Sequence, residues 1–221
     1  MSGSDPNPSN PKINPRLLIQ MSGPPGSGKS TLARRLANHP VIDAVVINHD
    51  LIKAFMLSQG GLDFEAASRL TYGLDWVLAR DLLNQGRSVI VDTVCNYPEV
   101  VENGTALAKE KKEEGRGVVY VYVECRLRDM QILDARLRGR TSLLSQRTGI
   151  EEIPKGKGQG NQAEAIIPAV VGSGAALFRK WMDPVRPDGD HAENIIVVDA
   201  TRSPDECLET VARAIESLIR V

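Results

Sequence analysis

The chain has 221 residues, of which 27 are basic and 28 acidic, giving a formal net charge of −1. Hydrophobic residues make up 42%, a globular composition that excludes a disordered or fibrous chain. No apolar run approaches the roughly 18 residues that a membrane-spanning helix needs, so we expect no membrane partner. The near-neutral charge disfavours a globally basic nucleic-acid-binding protein. The length fits one domain with an additional segment.

The N-terminal segment and the cysteines bear on the compartment. Residues 1–15 contain four Pro, three Asn and three Ser, so we expect a disordered tail there and not a signal peptide. The three cysteines, Cys95, Cys125 and Cys207, are widely spaced and include no CxxC pair. Such a set is typical of a reduced intracellular compartment. The sequence therefore predicts a cytoplasmic protein and leaves a nuclear location open.

Short apolar runs alternate along the chain with segments of helical periodicity. The runs are closed by Gly, Pro or polar residues, which is typical of buried parallel strands. We predict strands at residues 17–21, 44–47, 88–91, 118–123 and 195–198. Helices are predicted at residues 28–38, 62–85, 98–113 and 128–138, with one or two short ones in 165–182 and a last one after the capping box 203–206.

Apolar spacing also predicts which face of a helix is buried. The inward residues are expected to be Leu70, Leu74, Val77, Leu78 and Leu82 in the long helix, Ile132, Leu133 and Leu137 in helix 128–138, and Leu208, Val211, Ile215 and Leu218 in the last helix.

The alternation of strands and helices predicts an α/β fold, with a parallel sheet covered by helices on both faces. Residues 139–190 break this alternation, and residues 151–161 are polar and rich in Gly and Lys. We therefore expect one domain over residues 16–221, with a lid and substrate insertion at about residues 139–190.

A glycine-rich motif carries the first chemical signal. Residues 23–31 read GPPGSGKST, a full match to the G-x-x-x-x-G-K-[ST] pattern, between a predicted strand and a predicted helix. In such a loop, backbone N–H groups converge on a phosphate at the helix N-terminus. The sequence predicts a nucleoside triphosphate site formed by Gly23, Pro25, Gly26, Ser27, Gly28, Lys29, Ser30 and Thr31.

Two positions around this loop are predicted to hold Mg²⁺. The Ser30 hydroxyl follows the loop lysine, where it can ligate the metal. Asp92 ends the apolar strand 88–91, and a carboxylate there can hold a water of the metal's shell or position the reacting groups.

A second carboxylate, Asp50, follows the strand at residues 44–47. Ligands gather at the carboxyl ends of the strands in open α/β sheets, so we expect Asp50 to face the phosphates. There it can accept a proton from a substrate hydroxyl that attacks the γ-phosphate. The alternative is that Asp50 caps the next helix. His49 beside it could assist or be a bystander.

Arginines cluster in the part of the chain that leads into the insertion. Guanidinium groups stabilise the charge that develops on a transferring phosphoryl group. Arg136 and Arg140 are four residues apart and share a face if the helix continues, so we predict that both are catalytic, as Lys29 is. The alternative is a solvated basic face, partly matched by Asp129 and Asp134. The run consists of Arg126, Arg128, Arg136, Arg138, Arg140 and Arg147.

With these residues the chain resembles the small AAA-type P-loop kinases related to zeta toxins and to the kinase domain of polynucleotide kinases. The resemblance covers about residues 16–150 and the final strand and helix. It rests on GPPGSGKST, the strands ending at Asp50 and Asp92, and the arginine-rich lid. It implies a P-loop NTPase sandwich of three layers with a sheet ordered 2-3-1-4-5, ATP with Mg²⁺ as phosphate donor, Asp50 as the base and lid arginines on the phosphates.

The chain departs from that family at two places. An Arg often stands three residues after the substrate Asp in those kinases, whereas this chain has Lys53, which cannot make the same bidentate contact. The insertion at residues 151–190 matches nothing in the family. Residues 138–144, RGRTSLL, are similar instead to the lid of shikimate- and gluconate-type kinases, which favours a small metabolite as acceptor.

Three functions are compatible with these residues. The leading hypothesis is an ATP-dependent kinase that phosphorylates a hydroxyl of a small-molecule or nucleotide-like acceptor. A 5′-hydroxyl polynucleotide kinase is the second, supported by the arginine run but not by the aromatic content of 4%, which leaves few platforms for base stacking. The third is a nucleotide-dependent switch or adaptor without group transfer, although no N-K-x-D guanine motif is present.

Overall fold

The fold is built on a five-stranded sheet. A computed structural model describes residues 15–158 and 174–220. All neighbouring strands are parallel, and their order is β2-β3-β1-β4-β5. This order and the α/β class are those predicted. The strands are β1 (Arg16–Ser22), β2 (Ala44–Asn48), β3 (Ser88–Asp92), β4 (Val118–Arg126) and β5 (Ile195–Asp199).

The central strand β1 shows why the strands are continuous apolar runs. It pairs with β3 on one side and β4 on the other, with Leu18 opposite Val89 and Tyr120. From Leu17 to Ser22 every side chain of β1 is buried. A strand covered on both faces has no solvent side, so its sequence does not alternate between apolar and polar residues.

Two helical layers enclose the sheet. One face packs against α1, α5 and α7, and the other against α3 and α4, each over its own apolar core. The architecture is therefore the predicted sandwich of three layers. The helices are α1 (Lys29–Ala37), α2 (His49–Ser58), α3 (Phe64–Asn84), α4 (Pro98–Glu113), α5 (Met130–Arg138), α6 (Gly174–Trp181) and α7 (Pro204–Ile219).

The buried face of α3 differs from the predicted stripe. Leu70 and Val77 are 52% and 57% exposed, while Leu74, Leu78 and Leu82 are only partly buried. Small and polar side chains decide which face of α3 is buried. Ala67 and Ala79 let neighbouring elements pack close to the helix, and polar groups on the same face bind side chains of α2. The side chains that α3 buries are Ala67, Thr71, Asp75, Trp76, Ala79 and Leu83. In α5, Leu133 and Leu137 are buried as predicted, but Ile132 is 36% exposed.

Two further elements bear on the sequence predictions. Helix α2 was not predicted as an element; it starts directly after β2, where the Asn48 side chain accepts a hydrogen bond from the Leu51 N–H and caps it. The capping box of α7 is present, with Ser203 and Glu206 reciprocally bonded and Pro204 in the first turn.

The insertion is described in part. Residues 139–154 form an irregular loop, followed by a short 3₁₀ turn, Lys155–Gly158. Residues 1–14 and 159–173, which carry most of the predicted tail and part of the predicted helix 165–182, lie outside the described residues. Within the described part, no helix combines the length and the apolarity needed to span a bilayer.

A buried carboxylate ties β4 to the segment before β5. Glu124 is 1% exposed, and its two oxygens accept hydrogen bonds from Arg126 at 2.9 Å and Arg186 at 2.7 Å. Burial raises the Glu124 pKa, but the bonds from Arg186 and Arg126 outweigh that effect and hold it below its usual range. The ionised carboxylate therefore stabilises the folded state.

We expect Glu124→Gln to lower the free energy of unfolding at pH 7 by about 1–3 kcal/mol, because two charge-assisted hydrogen bonds are lost. A lowered folded-state pKa contributes stability above the unfolded-state pKa and loses it as pH falls through the folded-state value. The difference between wild type and variant should therefore shrink below about pH 4.5. Urea unfolding from pH 3 to 7 measures it. The control is Glu209→Gln, which removes an exposed ion pair with Arg213 on α7; an equal loss there would contradict the prediction.

Candidate functional site

The loop between β1 and α1 is shaped by glycine. Gly23 has a φ of 128°, and a Cβ built there would lie 2.4 Å from the carbonyl oxygen of Cys125 on β4. Only glycine allows both this backbone conformation and this approach of β4. The Ser27 N–H donates to the Pro24 carbonyl at 3.1 Å and closes the turn. The loop thus curls over the carboxyl end of the sheet, as the motif predicts.

Helix α1 begins at the end of this loop with free donors. Its N-cap, Gly28, supplies no side-chain cap, so the N–H groups of Lys29 and Ser30 in the first turn are left for a ligand. Lys29 is 8% exposed, and no carboxylate in the described part of the chain lies within 4.0 Å of its ammonium group. A buried, unpaired cation at a helix N-terminus is a site built for an anion.

Asp92 lies at the carboxyl end of β3, opposite Met21 of β1 and Asn48 of β2. It is buried, its Oδ2 accepts from the Asn48 amide at 3.3 Å, and its Oδ1 has no partner among the described residues. Burial raises its pKa, while the charge of Lys29 and the hydroxyl of Ser30 lower it. Oxygen donors of this kind suit Mg²⁺, which keeps several waters and takes one or two protein oxygens. Ser30 and the orphaned Asp92 oxygen fit that role.

Asp50 lies in the first turn of α2, directly beyond the end of β2. The residue that caps this helix is Asn48, so the alternative of a capping role for Asp50 does not hold. The Asp50 Oδ2 accepts from Gln146 Nε2 at 2.9 Å, and its carbonyl oxygen accepts from Ser145 Oγ at 2.7 Å. Its charge acts on the pKa values of Asp92 and Arg140. Asp50 therefore lies between the candidate metal position and the lid.

His49 turns away from this position toward α3. Its Nδ1 lies 2.7 Å from Asp75 Oδ2, and its ring lies 4.3 Å from that of Tyr72. Burial raises the pKa of Asp75, and the hydrogen bond with His49 opposes it. The two side chains form a buried polar pair beside Asp50, in which His49 is bound to a carboxylate.

The two predicted lid arginines serve different parts of the cleft. Arg136 donates to the Ala200 carbonyl at 3.0 Å and lines a cavity of about 280 Å³ with Gly28, Thr31 and Cys207. Helix α5 ends at Arg138, as predicted, so the helix does not continue to Arg140 and the two arginines do not share a helix face.

Arg140 is half-buried on the lid side. It donates to the Arg147 carbonyl at 3.3 Å, and its Nε has no partner among the described residues. Burial lowers its pKa, and the charge of Asp50 opposes this. Its guanidinium group is thus only partly used within the protein.

Three other arginines of the run are engaged elsewhere. Arg138 pairs with Asp134 and Glu152 on the surface. Arg126 binds Glu124, and Arg147 donates to two lid carbonyls, of Ile150 and Glu152, with the Trp181 ring 4.8 Å away. The run is therefore not one continuous basic face.

The site lies in a part of the chain that matches a known protein family. A family profile described as AAA domain matches residues 18–143, more than half of the chain. The chain belongs to this AAA domain family. The match contains the phosphate-binding loop, Asp50, Asp92 and both lid arginines. Among curated protein sequences, none matches the chain significantly.

Solved structures share the fold of this AAA domain over nearly its whole length. A sugar kinase from Janibacter sp. HTCC2649 has a TM-score of 0.56 at 12% identity, covering 91% of this chain and 95% of that one. A gluconokinase from Sinorhizobium meliloti 1021 has a TM-score of 0.52 at 13% identity, covering 94% of both chains. The APS kinase of Mycobacterium tuberculosis, solved with AMPPNP and APS, has a TM-score of 0.53 at 17% identity, covering 92% and 99%.

Several residues around the AAA domain's cleft were missed by the sequence reasoning. Gln146 and Ser145 contact Asp50 across more than 90 residues of chain, which no local pattern reveals. Asp75 carried a signal: a carboxylate stands inside an otherwise apolar helical stripe. The sequence marked Lys53 only as a difference from the Arg of the related kinases. In the structure Lys53 is 8% exposed, and its ammonium group lies 4.4 Å from the centre of the Phe64 ring.

We expect Gly23→Ala to weaken ATP binding at least ~10-fold, because the new methyl group would displace β4 from the phosphate-binding loop. Gly60→Ala is the matched control, since Gly60 also has a positive φ, 75°, but open space around it. That variant should cost about 1–2 kcal/mol of stability for its φ alone and leave ATP affinity unchanged. Calorimetric ATP titration and urea unfolding measure both effects. Equal ATP affinity in the two variants would refute the role of the close approach.

Proposed function

We propose that this AAA domain is an ATP-dependent phosphotransferase that moves the γ-phosphate to a hydroxyl of a small-molecule or nucleotide-like acceptor. The observation that carries the proposal is the position of Asp50. Its carboxylate lies at the same edge of the sheet as the phosphate-binding loop and Asp92, and it contacts the lid. Three neighbours of the same fold are named as kinases for a sugar, gluconate and APS, the class of reaction proposed here.

The triphosphate binds along the loop and the start of α1. The backbone N–H groups of Lys29 and Ser30, at the start of α1, point to the β-phosphate, and the ammonium group of Lys29 lies against the β- and γ-phosphates. Ser30 and Asp92 would hold Mg²⁺, which would supply positive charge against the phosphate oxygens. Arg136 lies beside the nucleoside in the cavity next to Ala200. The other predicted loop residues, Gly23, Pro25 and Ser27 among them, shape the loop that binds the triphosphate.

Transfer takes place between Asp50 and the loop. The Asp50 carboxylate accepts the proton of the acceptor hydroxyl as its oxygen forms a bond to the γ-phosphorus. The bond from that phosphorus to the bridging oxygen breaks, and ADP leaves. Lys29 and Arg140 stabilise the negative charge on the transferring group, for which the unpaired Nε of Arg140 is available.

The geometry gives less support to a 5′-hydroxyl polynucleotide kinase. Arg126, Arg138 and Arg147 are bound to carboxylates or carbonyls and do not form a groove for a phosphate backbone. Oligonucleotide binding that weakens steeply with added salt would favour this alternative. ATP hydrolysis stimulated only by a protein partner would favour a switch or adaptor instead.

We expect Asp50→Asn to lower kcat for acceptor phosphorylation at least ~100-fold, because an amide cannot take up the hydroxyl proton. ATP affinity should stay within about twofold, since Asp50 does not contact the loop. Coupled ADP release across a panel of hydroxyl compounds gives kcat, and calorimetry gives the ATP affinity.

The control for that experiment is Asp81→Asn. Asp81 is an exposed carboxylate on α3 that also accepts a glutamine amide, from Gln85 at 2.7 Å. Its kcat should equal that of wild type. If no acceptor stimulates ATP turnover by the wild-type protein, or if Asp50→Asn keeps near-normal turnover, the proposed function is wrong.

A further inference from the structure

A buried polar cluster adjoins Asp50 between α2 and α3. It consists of His49 and Lys53, one turn apart on α2, and Tyr72 and Asp75 on α3. Beyond the contacts of His49 described above, two groups are unused. Asp75 Oδ1 has no hydrogen-bond partner, and the Lys53 ammonium has no carboxylate within 4.0 Å, both within the described residues. Free polar groups at this depth are costly unless a ligand satisfies them.

The charges around this cluster leave no surplus cation. The charge of Lys53 is offset by that of Asp50, which raises the pKa of Lys53 against the lowering effect of burial. The His49–Asp75 pair is neutral if it holds an extra proton and carries one negative charge if it does not. Lys157 is paired with Glu65 at 3.5 Å. Once Arg140 is assigned to the triphosphate, this wall is neutral or negative.

The undescribed part of the insertion contains no basic side chain. Residues 159–173 read QGNQAEAIIPAVVGS and contain one charged side chain, Glu164. An acceptor that carries a phosphate, sulfate or carboxylate near Asp50 would therefore add negative charge to a cluster whose net charge is zero or negative even with Lys53 counted.

The unused groups match a hydroxyl. The Lys53 ammonium can only donate hydrogen bonds, and the ionised Asp75 oxygen can only accept them. A hydroxyl does both, whereas an anionic oxygen only accepts and would be repelled by Asp75. Building on the proposed function, we propose that the acceptor is an uncharged polyhydroxy molecule. One of its hydroxyls is at Asp50, and a second is held by Lys53 and Asp75.

The test uses matched acceptors that differ by one anionic group. The pairs are glucose with glucose 6-phosphate, glycerol with glycerol 3-phosphate, inositol with inositol monophosphate, and adenosine with AMP. Initial rates of ADP release by the full chain at saturating ATP give kcat/KM for each. We expect turnover in the uncharged members and at least ~100-fold lower kcat/KM for their charged partners. Better turnover of charged members would overturn the inference while leaving the proposed function intact. Turnover of no member in any pair would overturn both.

A charge variant sharpens this test. Glu65→Gln releases Lys157 from its ion pair and gives the wall a surplus positive charge. We expect it to raise kcat/KM for the charged member of an active pair at least ~3-fold and to leave the uncharged member unchanged. Glu209→Gln, which removes an exposed acid on α7, should change neither. An unchanged ratio in Glu65→Gln would contradict the charge argument.

A second inference comes from the lid. Gln146 is held in place from both ends of its amide: Oε1 accepts from the Leu143 N–H at 3.3 Å, and Nε2 donates to Asp50 Oδ2. One Asp50 oxygen is thereby fixed, and the other remains for the acceptor hydroxyl. We infer that Gln146 is a positioning residue that orients the Asp50 carboxylate, and this role too rests on the proposed function.

Two measurements separate this role from a structural one. Gln146→Ala should lower kcat at least ~10-fold with the KM for ATP unchanged, because the carboxylate loses its orientation. The control Gln85→Ala removes the equivalent exposed amide–carboxylate bond and should leave kcat unchanged. An unchanged kcat in Gln146→Ala, or an equal rise in the KM for ATP, would refute the positioning role.

The contact itself is tested without activity. Thermal unfolding of Asp50→Ala, Gln146→Ala and the double variant should give shifts in Tm that do not add, since both changes remove one bond. Additive shifts would contradict the contact, whether or not the protein is a kinase.

Discussion

Every feature of the candidate site depends on the direction of the strands. Because all five strands run parallel, their carboxyl ends meet at one edge, and the loop after each strand opens into the same cleft. The phosphate-binding loop follows β1, Asp50 follows β2 and Asp92 ends β3. The close approach of Gly23 to β4 fixes the fourth strand against that loop. Groups more than 60 residues apart in the chain are therefore assembled by the sheet and not by local sequence.

The same edge concentrates buried polar atoms that the described part of the chain leaves unsatisfied. Six of the eight such atoms in the described residues belong to Ser22 and Ser27 near the loop, to Asp92 and Thr93 at the end of β3, to Arg140 in the lid and to Asp75 behind Asp50; the other two belong to His39 and Arg147. Buried polar groups normally find partners, and each orphan costs free energy. In the proposed function, phosphate oxygens, metal-bound water and acceptor hydroxyls would be the partners of these atoms. The folded state is thus less stable than it would be with these atoms bonded, because a binding site needs polar groups that are free to bind its ligand.

The sequence predicted what local pattern controls, and missed what tertiary contacts control. The five strands and the loop motif follow from apolar runs and glycine geometry, so both were predictable, whereas the edge strands β2 and β5 are less buried than their apolar runs predict. The face of α3 was not predictable, since Ala67, Ala79 and the His49–Asp75 bond outweigh the leucine stripe in deciding which side packs. The end of α5 at Arg138 was predicted, but the contacts of the lid were not: its residues bind one another and α2 once the helix stops, and no local pattern signals this.

The lid joins the two halves of the cleft in a single stretch of chain. Arg136 lines the cavity beside Ala200, Arg140 lies near Asp50, and Gln146 binds the Asp50 carboxylate, all within eleven residues of sequence from 136 to 146. A ligand that moves one end of so short a segment changes the position of the other. Binding free energies are reciprocal. If the nucleotide changes the affinity for the acceptor by drawing Arg136 and Arg140 inward, the acceptor changes the affinity for the nucleotide by the same factor. In the proposed function, a segment that contacts both the nucleotide cavity and Asp50 would couple triphosphate binding to the orientation of that carboxylate.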